Sequence, residues 1–250
     1  MGTEMSSAGK VAAFFDVDGT LSKTTVVDSL VLFKLNSMPK PFCFLLLSKL
    51  AVMAPCWLLV DMVSRSAFNK LFYANYAGIS LEELSSFAHT YFESFWLHRL
   101  YLEAIQRIEW HRSMGHRIVL LTGAIDLLVK PIADFIGADD FIASKLEVIC
   151  GRFTGRLLRP PLSELQKAIA IREYALVHGL SLSQCYAYGD SYSDRFALEC
   201  VGHPVAVNPD LRLLLLAKRR GWKVERWRSR MPVRRKTERR YRSWGTNAKG

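Results

Sequence analysis

The sequence predicts an α/β fold, a parallel sheet with helices on both faces, into which a long helical segment is inserted. Three observations predict it. Residues 10–18, KVAAFFDVD, are apolar without alternation until two acids end the run, the pattern of a strand buried on both faces. The pattern recurs at 117–121, RIVLL, and at 184–188, QCYAY. Helical periodicity fills the intervals between the later strands, and such alternation builds a parallel sheet with crossover helices.

Taken in order, the first strand is followed by residues 24–110, which show no strand–helix alternation. Leu81, Leu84, Phe87, Ala88 and Tyr91, then Phe95 and Leu102, recur at helical spacing. This stretch is read as a separate helical insertion, with Ser80 after Gly78-Ile79 capping one helix start. The aromatic group Tyr91, Phe92, Phe95 and Trp96 reads as its core, not as a cofactor box. Within it, residues 42–63, FCFLLLSKLAVMAPCWLLVDMV, are strongly apolar but broken by Lys49, Pro55 and Asp61. Buried or lid helices are the expectation there; a membrane-surface helix pair and a transmembrane span are the alternatives. After the 117–121 strand come a helix at 125–136, a weaker strand at 140–143 and a hairpin at 146–157 turning at Gly151. A helix at 163–178, the 184–188 strand, a helix at 192–200, a strand at 203–207 and a helix at 209–220 complete the alternation.

The chain has 250 residues and a formal charge of +11, unevenly spread. Residues 218–250 hold 14 of the 34 Lys/Arg and only Glu225 and Glu238 among acids, so the remainder is close to neutral. The basic segment, with Trp222, Trp227, Tyr241 and Trp244, suits an anionic membrane surface; solvation without a partner is the plainer alternative, and nucleic acid is the least favoured. Its last 25 or so residues lack periodicity and read as a mobile appendage. Cys43, Cys56, Cys150, Cys185 and Cys200 form no C-x-x-C pair and read as small buried groups in a reducing compartment. No zinc spacing occurs among Cys and His, and the first ten residues lack a secretory pattern. The expected location is therefore cytoplasmic, peripheral at the membrane.

The candidate chemistry lies where the strands end. In open parallel sheets ligands bind at the carboxyl edge. That edge offers Asp16 and Asp18, then Thr122 and Gly123, then Asp190, with Asp194 a turn later. If the strand continues that far, Asp16 and Asp18 face one side; Gly19 then permits a sharp turn, and Thr20 adds a hydroxyl and an amide. A carboxylate beside a phosphate dianion at 4 Å is repelled by about 8 kcal/mol for an effective dielectric near 20, so a hard divalent cation is implied. Magnesium on Asp16, Asp190 and the Asp18 carbonyl fits, leaving Asp16 to act as nucleophile and Asp18 as acid and base. Thr122, Gly123 and Lys167 would hold phosphate oxygens. Lys23, Arg65 and Lys70 read as solvated rather than as substrate contacts.

The motifs D-V-D-G-T at 16–20, L-L-T-G at 120–123, Lys167 and G-D-S-Y-S-D at 189–194 stand in the order that resembles the haloacid dehalogenase-like hydrolase superfamily. The interval from Lys167 to Asp190 and the insertion after the first motif resemble its subfamily IB, phosphoserine phosphatase-like branch. The resemblance implies a Rossmann-like core at 10–23 and 111–227, a helical cap at 24–110 and a tail at 228–250. It implies a magnesium-dependent phosphatase with an aspartyl-phosphate on Asp16, Asp18 as acid then base, Thr122, Gly123 and Lys167 on the phosphate, metal on Asp16, Asp18 and Asp190, and Asp194 in support. A phosphotransferase or mutase, and a non-catalytic membrane adaptor, are the alternatives. Where serine-specific members carry a Glu after the first motif, this chain has Thr25, and N-K-L-F-Y-A-N-Y-A-G has Lys70 but no Arg. The expected substrate is therefore a small organic phosphate or a lysolipid-like one, not phosphoserine.

Overall fold

The computed structural model describes residues 10–37 and 39–231. Strand β1 (Ala12–Phe15) is followed by five helices: α1 (Val26–Ser37), α2 (Lys40–Val63), α3 (Arg65–Tyr73), α4 (Leu81–Tyr91) and α5 (Leu102–Ser113). Then come β2 (Arg117–Ile125), α6 (Asp126–Ile136), β3 (Asp140–Ser144) and the hairpin β4 (Leu146–Ile149) and β5 (Arg152–Leu157). The chain closes with α7 (Leu165–His178), β6 (Tyr186–Gly189), α8 (Arg195–Glu199), β7 (His203–Val207), α9 (Leu211–Arg220) and β8 (Lys223–Glu225).

Six strands form one sheet in the order β3-β2-β1-β6-β7-β8, every pairing parallel. Strand β1 is central, with Phe15 opposite Leu120 on one side and Tyr188 on the other. Alternate residues feed two cores. Ala13, Phe15, Ile118, Leu120 and Tyr188 pack toward α5, α6 and the inserted helices. Ala12, Phe14, Val119, Leu121 and Ala187 pack under α7, α8 and α9. Burial of both faces explains why these strands show apolar runs without alternation. The edge strand β8 escaped the sequence reading, because three residues, KVE, carry too little pattern.

Local signals place the helix starts. Ser64 accepts from the Ala67 amide at 3.2 Å, Ser80 from the Glu83 amide at 3.4 Å, and Asp210 from the Leu213 amide at 2.7 Å. The β4–β5 hairpin also fastens the insertion to the core. The Gly78 amide donates to the Phe153 carbonyl at 2.8 Å, and the Phe153 amide to the Ile79 carbonyl at 2.9 Å.

Several expectations need correction. Residues 42–63 form part of one 24-residue helix, not a pair, with Pro55 inside it. That helix is not buried: one side packs inward while Phe44, Val52 and Val63 are 77%, 77% and 87% exposed. No helix among the described residues is long and apolar enough to cross a membrane. Of the thiols expected inside, only Cys185 is buried, and Cys56 and Cys150 are exposed. The 192–200 helix is a 3-10 turn at Tyr192–Asp194 followed by the short α8. Residues 228–231, expected to lie in the tail, are bonded to the rest of the chain. Arg228 and Ser229 amides both donate to Glu103 at 3.0 Å, and the Met231 amide donates to the Leu100 carbonyl at 3.1 Å. The rest of that basic segment, 232–250, and the N-terminal residues 1–9 lie outside the described residues.

Candidate active site

The switch point of the sheet, where β1 has β2 on one side and β6 on the other, puts three strand ends beside one another. Strand β1 stops at Phe15, so Asp16 and Asp18 owe their placement to a loop rather than to strand alternation. The Asp16 amide still donates to the Tyr188 carbonyl at 3.0 Å. Beyond it the chain winds tightly: the Leu21 and Ser22 amides both donate to the Val17 carbonyl at 3.0 Å. Gly19 is required in this turn. Its φ is +86°, and a Cβ would stand 2.2 Å from Asp190 Oδ2. Gly189 meets a similar limit, since a Cβ there would lie 2.7 Å from that of Asp194.

At the centre, the Lys167 ammonium donates to Asp16 Oδ1 and to Asp194 Oδ1, each at 2.6 Å. All three residues are buried. Lys167 reaches the acids from the first turn of α7, on the opposite face of the sheet from the insertion. Carboxylate oxygens of Asp16, Asp190 and Asp194 lie within 4.8 Å of one another. Asp190 accepts from the Thr20 hydroxyl at 3.1 Å. Asp194 is further held by the Ser191 amide and hydroxyl, both at 3.1 Å. The Asp18 carboxylate is not part of the trio; it turns aside to accept from the Thr24 hydroxyl at 2.8 Å.

Electrostatics follow from burial. Burial, with Asp194 and Asp18 nearby, pushes the Asp16 carboxyl up to about 7 despite the opposing pull of Lys167. Burial, then Asp16 and Asp194, drive Asp190 well above the ordinary carboxylate range. Burial raises Asp18 as well, against the Thr24 bond and the Arg65 charge. Asp194 goes the other way: burial opposes its charge, but Lys167 and Ser191 hold it below the usual range. Lys167 stays protonated because the two acids outweigh its desolvation. Such a trio, with one internal cation and two acids raised by burial and then by their carboxylate neighbours, is a donor set that a hard dication fits.

A cavity of about 700 Å³ opens over the trio. Thr122 and Gly123, where β2 slips its register against β3, line it with Asp16, Asp18 and Lys167. Thr122 Oγ1 accepts from the Ala124 amide at 3.1 Å, which leaves its proton to donate. The same peptide is held at its other end by the Tyr73 hydroxyl, which donates to the Gly123 carbonyl. Tyr73 and the buried Asn69 lie one helical turn apart on α3, and sequence reasoning missed both. Their only signal is a polar pair on an otherwise aromatic helix face. Arg65, expected to be solvated, lines the cavity and donates to both oxygens of Asp61 at 2.8 Å. Lys23 and Lys70 are exposed, as expected. Val27, Val31, Leu50, Ala54, Trp57 and Phe68 from α1, α2 and α3 make one side of the wall apolar, while Thr25, Asn69, Ser163 and Ser193 leave polar groups elsewhere in it.

Fold and site together define a doubly wound α/β protein with an acidic centre at the carboxyl edge of its sheet. The family model for haloacid dehalogenase-like hydrolases matches residues 13–199, and the chain belongs to that family. It is similar to phosphoserine phosphatase SerB1 of Mycobacterium tuberculosis, 34% identical over 151 residues, which are 60% of this chain and 49% of that one. The chain thus spans about half the length of the curated relatives it matches first. Among solved structures, a Bordetella pertussis protein of unknown function aligns with a TM-score of 0.74 and 24% identity, over 87% of this chain and 98% of that one. A substrate-bound phosphoserine phosphatase aligns with a TM-score of 0.63 and 17% identity, over 86% and 92%. These two likenesses concern the fold.

Proposed function

We propose that the protein is a magnesium-dependent phosphomonoesterase acting through an aspartyl-phosphate on Asp16, with residues 24–110 as its cap. The observation that carries this is the Asp16–Lys167–Asp194 bridge set beside Asp190, at the floor of a cavity that also holds Asp18, Thr122 and Gly123. Asp16, Asp190 and the main chain of Asp18 would hold the metal, with Asp194 in support. When bound, magnesium neutralises the crowded acids and the phosphate. Lys167 keeps one Asp16 oxygen fixed. The other oxygen attacks phosphorus, and the ester P–O bond breaks as the new one forms. Asp18, raised by burial, gives its proton to the departing alkoxide. As a carboxylate it then takes a proton from the water that attacks the acyl phosphate, returning Asp16 and inorganic phosphate. The Thr122 hydroxyl and Gly123 amide bind the phosphate oxygens.

The wall of the cavity bears on the leaving group. Asp61 already neutralises Arg65 through Nη1, so a substrate carboxylate meets a compensated cation, whereas an apolar group meets Val31, Leu50, Trp57 and Phe68 directly. A phosphomonoester with an apolar or lysolipid-like alcohol is therefore favoured over phosphoserine. The test is release of phosphate from an aryl phosphate with magnesium, by the parent and by Asp16→Asn. Release abolished by the substitution and by chelation is expected. An Asp16→Asn protein as active as the parent defeats the mechanism, and transfer to an added alcohol without net release favours a phosphotransferase.

A further inference from the structure

The helix that walls the cavity is apolar on both sides. Its inner side places Leu50, Ala54 and Trp57 in the cavity wall. Its outer side carries Phe44, Leu45, Val52, Leu59 and Val63, which are 65% to 87% exposed. Helical geometry puts these five within one stripe about 100° wide. Pro41, Ser48 and Pro55 fall in the same sector, and no charged residue of the helix does. Its one hydroxyl is already spent, because Ser48 donates to the Phe44 carbonyl at 2.9 Å. Nothing polar on this face asks for water. In a water-facing helix the outer side is ordinarily polar, and exposed apolar stripes of this kind mark an interaction surface.

We propose that the outer face of α2 rests on an anionic lipid surface, aided by the basic chain that follows Met231. Charge complementarity selects this occupant. The 19 residues from 232 to 250 contain seven Lys/Arg against the single acid Glu238. They leave the described structure where Met231 bonds to Leu100. That point adjoins the root of the insertion, since the Lys23 amide donates to the Arg99 carbonyl at 2.9 Å. Nineteen residues can extend about 60 Å, well beyond the roughly 36 Å length of α2. A lipid surface with acidic headgroups supplies hydrocarbon for the stripe and negative charge for the basic chain together. A second copy supplies the first and not the second, because the chain outside 218–250 is almost neutral. The helix lies on the surface and does not cross it, in keeping with its composition.

The experiment is co-sedimentation of the full chain with phosphatidylcholine vesicles, with and without about one third phosphatidylglycerol. Val52→Glu/Leu59→Glu removes the stripe, and truncation after Met231 removes the basic chain. Neither change touches the cavity lining, so circular dichroism and aryl-phosphate hydrolysis should match the parent. Expected are binding to the anionic vesicles, a drop of at least about tenfold for each variant, and weak binding to phosphatidylcholine alone. Equal binding by parent and Val52→Glu/Leu59→Glu overturns the proposal. So does a parent dimer, dissolved by that variant, with no vesicle binding. The vesicle readout is independent of catalysis, so an inactive parent would count against the phosphatase reading and leave this one standing.

Discussion

Lys167→Met tests the centre of the site most directly. The ammonium is buried and makes two charged bonds of 2.6 Å, to Asp16 and Asp194, whose side chains are 10% and 4% exposed. Methionine keeps the length and removes the charge, which leaves two buried acids facing each other. Breaking a buried pair from one side costs about 3–5 kcal/mol. With about 2–4 °C of Tm per kcal/mol in a chain of this size, the melting point should fall by roughly 10 °C. The loss depends on pH, with a definite sign. Asp16, at about 7 with Lys167 present, rises further without it, because Lys167 is what pulls it down. An acid raised in the folded state favours folding when protonated and opposes it as pH climbs through the folded pKa. The variant should thus trail the parent most at pH 8 and least at pH 5.5, in denaturant melts with chelator present. Aryl-phosphate turnover should fall by about 100-fold or more, a loss of two tenfold steps in transition-state stabilisation. A variant as stable as the parent at pH 8, or a deficit indifferent to pH, refutes the reasoning.

Three further outcomes are expected. Tyr73→Phe strands the Gly123 carbonyl, at a cost of about 1–3 kcal/mol, and should weaken inhibition by inorganic phosphate more than it changes metal affinity. Gly19→Ala drives a methyl to within 2.2 Å of Asp190 Oδ2 at a φ of +86°; calorimetry should find magnesium binding weakened at least tenfold with the fold retained. His111 is buried between His116 and the Tyr188 hydroxyl, and burial followed by the His116 and Arg107 charges pulls it down to about 3. Its neutral form favours folding at neutral pH, and that contribution fades as pH drops below about 6.5; unfolding free energies from denaturant melts at pH 7.5 and 5.0 should differ by about 2 kcal/mol more in the parent than in His111→Gln.

The sheet and the acids were legible because both leave local marks. A doubly buried strand must be apolar at every position, and Phe14 and Phe15 face opposite cores for that reason. Its end is marked by the acids that cannot continue it. Lys167 was legible from its place in the motif order, though only the fold shows it spanning Asp16 and Asp194 from the far side of the sheet. The insertion was legible as helical but not as a set of contacts. Tyr73 acts through Gly123, 50 residues away in the chain, and helical spacing alone does not say which face of α3 meets it or that Arg65 and Asn69 line the cavity. The outer side of α2 misled for the same reason. Apolar composition ordinarily means burial, yet Val52 and Leu59 lie outside.

The two halves of the cavity also depend on each other. The acids come from loops at the sheet edge, whereas most apolar wall residues, Val26 to Phe68, come from α1, α2 and α3. Burial is the leading cause that raises Asp16, Asp18 and Asp190, and that wall lines the same cavity as they do. In the proposed reaction, helices that would choose an apolar alcohol would also help keep water from the acids. Without them Asp18 would return toward an ordinary carboxylate and lose the proton the departing alkoxide needs. Selecting the leaving group and protonating it would, in the proposed mechanism, both follow from one packing event.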